Sequence, residues 1–569
     1  MPRSKCDMQR IWSFKDPNPQ AQRELSDGLK IHPIVAQLLI NRNITDRKEA
    51  EQFLCADLSH LHDPFLIKDM EKAVARIRHA QKNKENVLIH GDYDVDGVTS
   101  SAMLYELLTA MGINVLTHIP HRMDDGYGLN HGIAKIAKAQ GVGLLIAVDC
   151  GITAYDEVEA IKNEGIDVII IDHHEPAHKR IPKALAIINP KQNDCNYPFR
   201  DLASVGLVAK LTQAMTGTID PEILHMAALG TITDVAPLRG ENRIFVKAGL
   251  PTISQTKNIG LQALMEVARI DGKKKISPYH VGFILGPRIN AAGRMDTAHT
   301  SLDLLLAKDP IKALALAKAL ERHNNARQKT QREIVQQALE MIDQEINFNN
   351  EKVIVLSREG WHKGVLGIVA SKIAERYYRP AVVISLEEGI GTASARSIEG
   401  FHLHDALANC SDWLEQFGGH EGAAGLTIKE ENIDPFRRGI NKLADRLLEL
   451  KKLTPVLAID CEIPLNTVNM ELAQIVESME PFGEANPAPI FCSRKLDVVG
   501  YPRIMGRDTL KFWVTDGQTS ISAVGFGMAD EADLIRQGKP IDLAYELAID
   551  DWNKAPETQL KLKDIRLSE

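Results

Sequence analysis

Val87-Leu88-Ile89-His90-Gly91-Asp92-Tyr93-Asp94-Val95-Asp96-Gly97-Val98-Thr99-Ser100 is the stretch that decides how this chain folds. An apolar run of strand length gives way to three carboxylates at alternating positions, then to glycine and small hydroxyl residues. A β-strand that ends in a tight acidic turn sets Asp94 and Asp96 at its carboxyl tip. Carboxylates this close repel one another unless a cation neutralises them, so a divalent metal is their natural partner.

The same arrangement recurs downstream. Gly143-Leu144-Leu145-Ile146-Ala147-Val148 stops at Asp149-Cys150-Gly151, and Val168-Ile169-Ile170-Ile171 stops at Asp172-His173-His174. A further acid, Asp234, closes Leu229-Gly230-Thr231-Ile232-Thr233. Continuous apolar runs separated by helical stretches predict an α/β fold with a parallel sheet. In such a sheet, sites form outside the carboxyl ends of the strands. Residues as far apart as Asp94 and Asp234 can therefore meet at one metal site, each read here as a strand-end residue.

Composition sets the limits. The 569 residues are enough for several domains, and 44% hydrophobic with 25% charged residues is ordinary for a globular chain. No run approaches the roughly 18 apolar residues that span a membrane, and the N-terminus lacks the apolar core of a signal peptide. Seven cysteines, an odd number without a Cys-x-x-Cys pair, argue against a disulfide framework and against a structural zinc. These features predict a cytoplasmic protein with reduced thiols and no membrane partner. The net charge of −9 disfavours non-specific duplex binding. It does not exclude an enzyme that threads one strand past a metal site, because a basic groove can coexist with an acidic exterior.

Along the chain, residues 1–65 read as a helical cap over the first sheet domain, and 66–250 as the metal domain. Residues 251–346 hold an arginine-bearing loop (Gly286 to Arg294) and a long connecting helix, rich in strong helix formers after Pro310. A second α/β unit follows over 347–450. From 451 to 569 the texture turns to short alternating strands, beginning with Val456-Leu457-Ala458-Ile459, which predict a small barrel.

At these motifs the chain resembles the DHH phosphoesterase superfamily, named for Asp172-His173-His174, and within it the RecJ-type exonucleases specific for single strands. The resemblance continues through Gly286-Pro287-Arg288-Ile289-Asn290-Ala291-Ala292-Gly293-Arg294, Trp361-His362-Lys363-Gly364, Ser394-Ala395-Arg396-Ser397 and Gly418-Gly419-His420. It implies a DHH-associated substrate-binding domain over 347–450 and an OB-fold over 451–569. It also implies hydrolysis of single-stranded DNA from the 5′ end to mononucleotides, in recombination and repair.

Phosphodiester hydrolysis needs an attacking hydroxide and relief of developing charge, which two divalent ions about 4 Å apart can supply. Asp94, Asp96, Asp149, His173 and Asp234 provide four carboxylates and an imidazole. That donor set suits Mn²⁺ or Mg²⁺, with the histidine favouring Mn²⁺. The resemblance implies that Asp149 bridges two metals. Asp172 would orient His173 from behind, and His174 would touch the scissile phosphate or protonate the leaving group. Asp92 is either a ligand or a turn-former behind the ligands, with the second reading slightly favoured. His90 fits a wider pattern, His-x-x-x-Asp-x-Asp, whose leading histidine binds metal.

Arg122, Arg288, Arg294 and His420 are candidate contacts to the strand. Ser394 and Arg396 offer a hydroxyl and a guanidinium fork for a terminal phosphate. One departure is Ala485, in Pro481-Phe482-Gly483-Glu484-Ala485-Asn486-Pro487, where family members often carry glycine. This turn is read as remote from the metals. A helicase and a single-strand-binding protein are plausible partners of an enzyme that would work as a monomer. Two other functions stay open: a phosphodiesterase acting on short oligonucleotides or cyclic dinucleotides, and an inert DNA-binding scaffold. A long C-terminal extension weighs against the first, and a complete ligand set against the second.

Overall fold

In the computed structural model, residues 10–120, 128–130, 132–176, 180–272, 274–448, 453–550 and 556–569 are described. They fall into two compact units. One comprises Asp46–Arg327 with Met479–Pro487; the other comprises residues up to Thr45 with Gln328–Ser478 and Ala488–Glu569. Among the described residues no helix is long and apolar enough to cross a membrane.

The first unit is built on five parallel strands: Asn86–Gly91, Asn114–His118, Val142–Val148, Asp167–Ile171 and Ala186–Ile188. Numbered along the chain, their spatial order is 2-1-3-4-5. The sequence-predicted parallel sheet is therefore present. Its strands read as unbroken apolar runs because helices cover both faces, leaving Val87 to Ile89 and Val168 to Ile171 almost wholly buried. The order reverses between the first and third strands, and sites in open α/β sheets form outside the carboxyl ends at that switch point. The residues placed there are Asp92 to Asp96 and Asp149.

Two sequence expectations for this unit are corrected. Asp234 does not end a strand: Leu224–Thr233 is a helix and Asp234 is its C-cap. A helix buried on nearly all sides is apolar all round and lacks the amphipathic period that distinguishes it from a strand. The Gly286 to Arg294 segment is no loop either, because Gly286–Met295 is helical and continues a π-helical turn, His280–Leu285. The turn carrying Ala485 packs within this same unit. Leu238, four residues beyond Asp234, donates its N–H to Glu484 O at 2.8 Å.

The segment Met479–Pro487 is held in this unit by Arg243, which is 1% exposed. Its guanidinium donates to the carbonyls of Phe53 (2.8 Å), Met479 (3.0 Å), Glu480 (3.0 Å) and Pro481 (3.2 Å). Replacing Arg243 with methionine takes a donor from all four carbonyls and leaves Met479 and Pro481 only the amide of Asn486, at 3.1 and 2.8 Å. The expected loss is about 3 kcal/mol or more of stability, read from the urea midpoint of the full chain. Lysine does not restore it, since one ammonium cannot reproduce the fork.

The second unit holds a five-stranded mixed sheet and a barrel. In the sheet, Ile354–Glu359 and Ala381–Glu387 are parallel, and Ile390–Arg396, Ala423–Lys429 and Leu414–Gly419 add on antiparallel. The barrel runs through Phe491–Met505, Thr509–Thr515, Ser520–Gly525, Glu557–Leu567 and Ile541–Asp550, and the last strand pairs back with the first. The helix predicted after Pro310 is Pro310–Glu345.

The predicted helical cap over the first sheet domain, residues 1–65, does not form as one body. Ile11–Phe14 is a strand that pairs in parallel with Val456–Ile459, so the latter lies outside the barrel ring. Trp12 packs on Ile459, Cys492 and Ala544, and its indole N–H donates to Asp564 Oδ2 at 2.6 Å. The residues up to Thr45 therefore belong with the C-terminal unit. Burial of Trp12 against that barrel outweighs sequence proximity to the sheet.

Candidate metal centre

Asp94 begins the centre as the N-cap of the helix Val95–Ala110, its Oδ1 accepting the N–H of Gly97 at 3.1 Å. Only glycine fits at 97, because a Cβ there would lie 2.5 Å from Asp92 O. Asp96 follows in the first turn, where the helix dipole favours a negative charge. Its two oxygens accept the backbone N–H groups of Ser204 (2.8 Å) and Val205 (2.9 Å), at the start of the helix Ser204–Thr216.

Asp149 follows the strand Val142–Val148 with φ 61°, a left-handed backbone that fixes where its carboxylate points. Its Oδ1 accepts from Ser204 Oγ at 2.9 Å. Ser204 thus touches two acids of the centre, and the sequence reading missed it. Its signal was available only as a small hydroxyl residue at a helix start.

Candidate ligand atoms gather in three groups, each within 4.8 Å: Asp92, Asp94 and Asp149; Asp96, His173 and Asp234; and Asp149, His173 and His174. Four strand- and helix-ends therefore bring together all five predicted ligands. Asp92 joins them, and its carboxylate could hold an ion together with Asp94 and Asp149. His90 does not: it is fully buried, 3.2 Å from Gly128 O and 3.2 Å from His118 Nδ1.

The Asp-His-His run divides its work differently from expectation. Asp172 Oδ2 accepts from Ile152 N (2.9 Å), while its Oδ1 holds His174 through Nδ1 (2.7 Å) and the backbone N–H (3.0 Å). It therefore orients His174, not His173. The two imidazoles nevertheless stay adjacent, with ring centroids 4.5 Å apart. His173 Nε2 lies 3.4 Å from Asp149 Oδ1 and 3.7 Å from Asp234 Oδ2, buried and without a hydrogen bond.

Electrostatics mark the same atoms. Burial, then the charges of Asp96, Asp94, Asp92 and Asp234, raise the Asp149 carboxyl well above its usual range. Burial and Asp94 push Asp96 up to about 7, and burial with Asp96 and Asp94 pushes Asp234 up to about 8. Burial and the neighbouring His174 hold His173 down to about 3, a neutral imidazole ready to donate a lone pair. A buried set of mutually repelling acids around an unpartnered neutral imidazole nitrogen fits divalent cations in chemistry and position.

The sign of the resulting pH dependence is unusual. Asp96 and Asp234 have folded pKa values above the unfolded value, so the metal-free fold is most stable below about pH 4 on their account. That contribution disappears as pH rises through 7 to 8. In chelator, the thermal midpoint is therefore expected to fall from pH 5 to pH 8.5, by about 2–4 °C for each kcal/mol lost. Saturating Mn²⁺ is expected to remove this slope; a slope unchanged by metal would count against these acids as its ligands.

Of the predicted strand contacts, Arg288 is held in an ion pair with Glu321 (2.6 Å) and also donates to Ile284 O (2.8 Å). Arg294 is in the last turn of Gly286–Met295. Arg122 lies outside the described residues. In the other unit, Ser394 and Arg396 alternate on one face of their strand, over Gly367 in the first turn of the helix Leu366–Tyr377. His420 sits in the adjoining hairpin turn, its N–H on Ala423 O, and Ala423 pairs with Arg396.

Known proteins share this architecture. Residues 86–231 match the DHH family, N-terminal domain, 350–446 the DHHA1 domain, and 459–564 the RecJ OB domain. The single-stranded-DNA-specific exonuclease RecJ of Bacillus subtilis is 36% identical over 561 residues, 98% of this chain and 71% of that protein. The same enzyme of Dickeya dadantii is 32% identical over 573 residues, 96% of this chain and 98% of the relative. The crystal structure of RecJ from Thermus thermophilus in complex with Mn²⁺ superposes with a TM-score of 0.83 at 29% identity, covering 98% of this chain and 80% of that one. With its metal centre at the switch point and these matches along nearly its whole length, the chain belongs to the RecJ family of single-stranded-DNA-specific exonucleases.

Proposed function

We propose that this protein is a metal-dependent exonuclease that hydrolyses single-stranded DNA from the 5′ end to mononucleotides, in DNA recombination and repair. The observation that carries it is the buried convergence of Asp92, Asp94, Asp96, Asp149, Asp234 and the unpartnered His173 Nε2. Asp92, Asp94 and Asp149 would hold one divalent ion, and Asp96, His173 and Asp234 a second, with Asp149 between them. Bound there, a pair of Mn²⁺ or Mg²⁺ ions supplies an activated hydroxide and offsets charge on the phosphoryl oxygens.

The chain's own residues do the rest. Ser204 and the helix N-terminus behind it fix Asp96 and Asp149 in place. His174 has a side chain 47% exposed, and its pKa rises to about 9 because Asp172 outweighs the opposing effect of burial. It is protonated at neutral pH and positioned to give a proton to the leaving oxygen. Ser394, Arg396 and the helix N-terminus beneath them would bind the terminal 5′-phosphate, since exposed N–H groups and a guanidinium fork favour an anion.

The closed barrel supplies a further surface for the strand. We place the enzyme in the cytoplasm, where the six described cysteines stay free. It would work as a monomer on strands that a helicase opens and a single-strand-binding protein covers.

The test is an oligonucleotide labelled separately at each end, single-stranded or duplex, with 5′-phosphate or 5′-hydroxyl, in Mn²⁺, Mg²⁺ or chelator. Mononucleotides released first from the 5′ end of the single strand, in metal and not by Asp149→Ala, support the proposal. Cleavage confined to di- to pentanucleotides or cyclic dinucleotides overturns it, and so does binding without cleavage.

A further inference from the structure

We propose that Tyr279 and Phe283 form a platform on which bases of the single strand stack beside the metal centre; this rests on the exonuclease reading above. The two side chains are 62% and 73% exposed, among the most exposed large apolar residues of the molecule. Their rings lie 5.3 Å apart at 21°, nearly parallel, so they present extended aromatic surface to solvent. Exposed apolar surface of this kind marks a binding site more often than a scattered single residue does.

Their position ties them to the chemistry. Phe283 belongs to the π-helical turn His280–Leu285, a rare conformation concentrated at functional sites, and Tyr279 immediately precedes it. That turn sits directly on the last turn of Leu224–Thr233, the helix capped by Asp234. A Cβ at Gly286 would run into Thr233 Cγ2, so glycine is what permits this approach. The helix that continues from the π turn reaches the other side of the centre, where Gly293 lies against Tyr93, between Asp92 and Asp94. Val235, next to Asp234, is 62% exposed with a left-handed φ of 59°. A β-branched residue held this way stores strain of the sort found at working sites.

Charge points to a polyanion as the occupant. Between residues 269 and 294 there are six basic residues (Arg269, Lys273, Lys274, Lys275, Arg288, Arg294) and one acid, Asp271, in a chain whose net charge is −9. Lys275 and Arg288 are already paired with Glu480 (2.7 Å) and Glu321 (2.6 Å), so the local surplus is smaller than the count but still positive. Base stacking on aromatic rings tolerates any sequence, which suits an enzyme that must pass every nucleotide, and it requires unpaired bases. A duplex offers its bases to no such surface, so the platform also contributes to preference for single strands.

The experiment compares the wild type with Tyr279→Ala/Phe283→Ala, a double substitution at exposed positions. Substrates are a 5′-phosphorylated single strand and strands with abasic nucleotides at successive positions from the 5′ end. The double variant is expected to raise KM about tenfold for each base that loses its platform, with kcat within about twofold. An abasic nucleotide at a stacked position should raise the wild-type KM similarly and leave the variant unaffected. Tyr279→Trp should retain the wild-type KM.

A second arm uses 2-aminopurine in the strand with chelator present. Its fluorescence is quenched on stacking and reports without turnover. If wild type degrades the strand yet KM, abasic response and quenching are the same in both proteins, the platform is refuted and the exonuclease reading stands. If wild type cuts no long strand, that reading falls, and the quenching arm still decides the platform. An unchanged metal-dependent rise in thermal midpoint shows that the variant is folded.

Discussion

Asp149→Asn lowers kcat for strand hydrolysis by about 10³-fold or more, measured as initial nucleotide release at saturating DNA and Mn²⁺. Asparagine accepts the left-handed backbone of position 149 and can keep the bond from Ser204 Oγ, so the loss reports the charge alone. Asp149 belongs to two of the three candidate ligand groups, more than any other carboxylate, and weakening it disturbs both ions. Removing a single preorganised neutral donor already costs other enzymes about 10²–10³ in kcat, so a charged ligand shared by two ions should cost at least as much. The same variant without metal should melt at a higher temperature than wild type. Burial and four neighbouring carboxylates oppose the charge at 149, and the substitution relieves that repulsion. Activity within tenfold of wild type, or a lower metal-free midpoint, would remove Asp149 from the bridging position.

His174→Ala is expected to lower kcat by about 10²–10⁴-fold, the range for a lost general acid. Its pH signature separates this role from metal binding. Burial lowers the imidazole pKa, but the Asp172 hydrogen bond and charge outweigh it and raise it to about 9. The acid form is therefore kept to a higher pH than in an ordinary imidazole, which puts the alkaline limb of kcat above the ordinary imidazole value. In Asp172→Asn the charge that raises it is gone, and the limb moves down toward the ordinary imidazole value of 6.5 or lower. Activity at pH 8 then falls while activity at pH 6 is largely kept. Mn²⁺ affinity should change little in either variant. An unmoved limb with a large loss of Mn²⁺ affinity would instead make His174 a ligand.

The parallel sheet and its acidic tips were legible because each strand is buried on both faces and stops at a chemically distinctive residue. Val142–Val148 before Asp149 shows both features. Leu224–Thr233 has the same apolar texture but forms a helix, since nearly complete burial erases the period that would reveal it. Side-chain direction was not legible either. Asp172 reaches His174 and not His173 because of how the backbone turns after Ile171, which no spacing rule specifies. Ser204 and the ion pair that occupies Arg288 depend on partners 55 and 33 residues away, and pairings over such distances exist only once the sheet has formed. Ile11–Phe14 shows the limit most plainly: four residues give too short a pattern to reveal a strand whose partner begins at Val456.

The segment Met479–Pro487 gives the order of biosynthesis a bearing on activity. Arg243 is buried early in the chain, but three of its four carbonyl partners are made more than 230 residues later. During translation that guanidinium must stay hydrated or find temporary acceptors, and the metal-binding half cannot reach its final packing until residue 487 has left the ribosome. A nascent nuclease of this design completes its metal-binding half only after the second sheet has been synthesised, with the barrel strands from Phe491 onward still to follow. A truncated product ending before Met479 should accordingly be recognised by the cell as unfinished and degraded, and should not persist as an unregulated cutter of single strands.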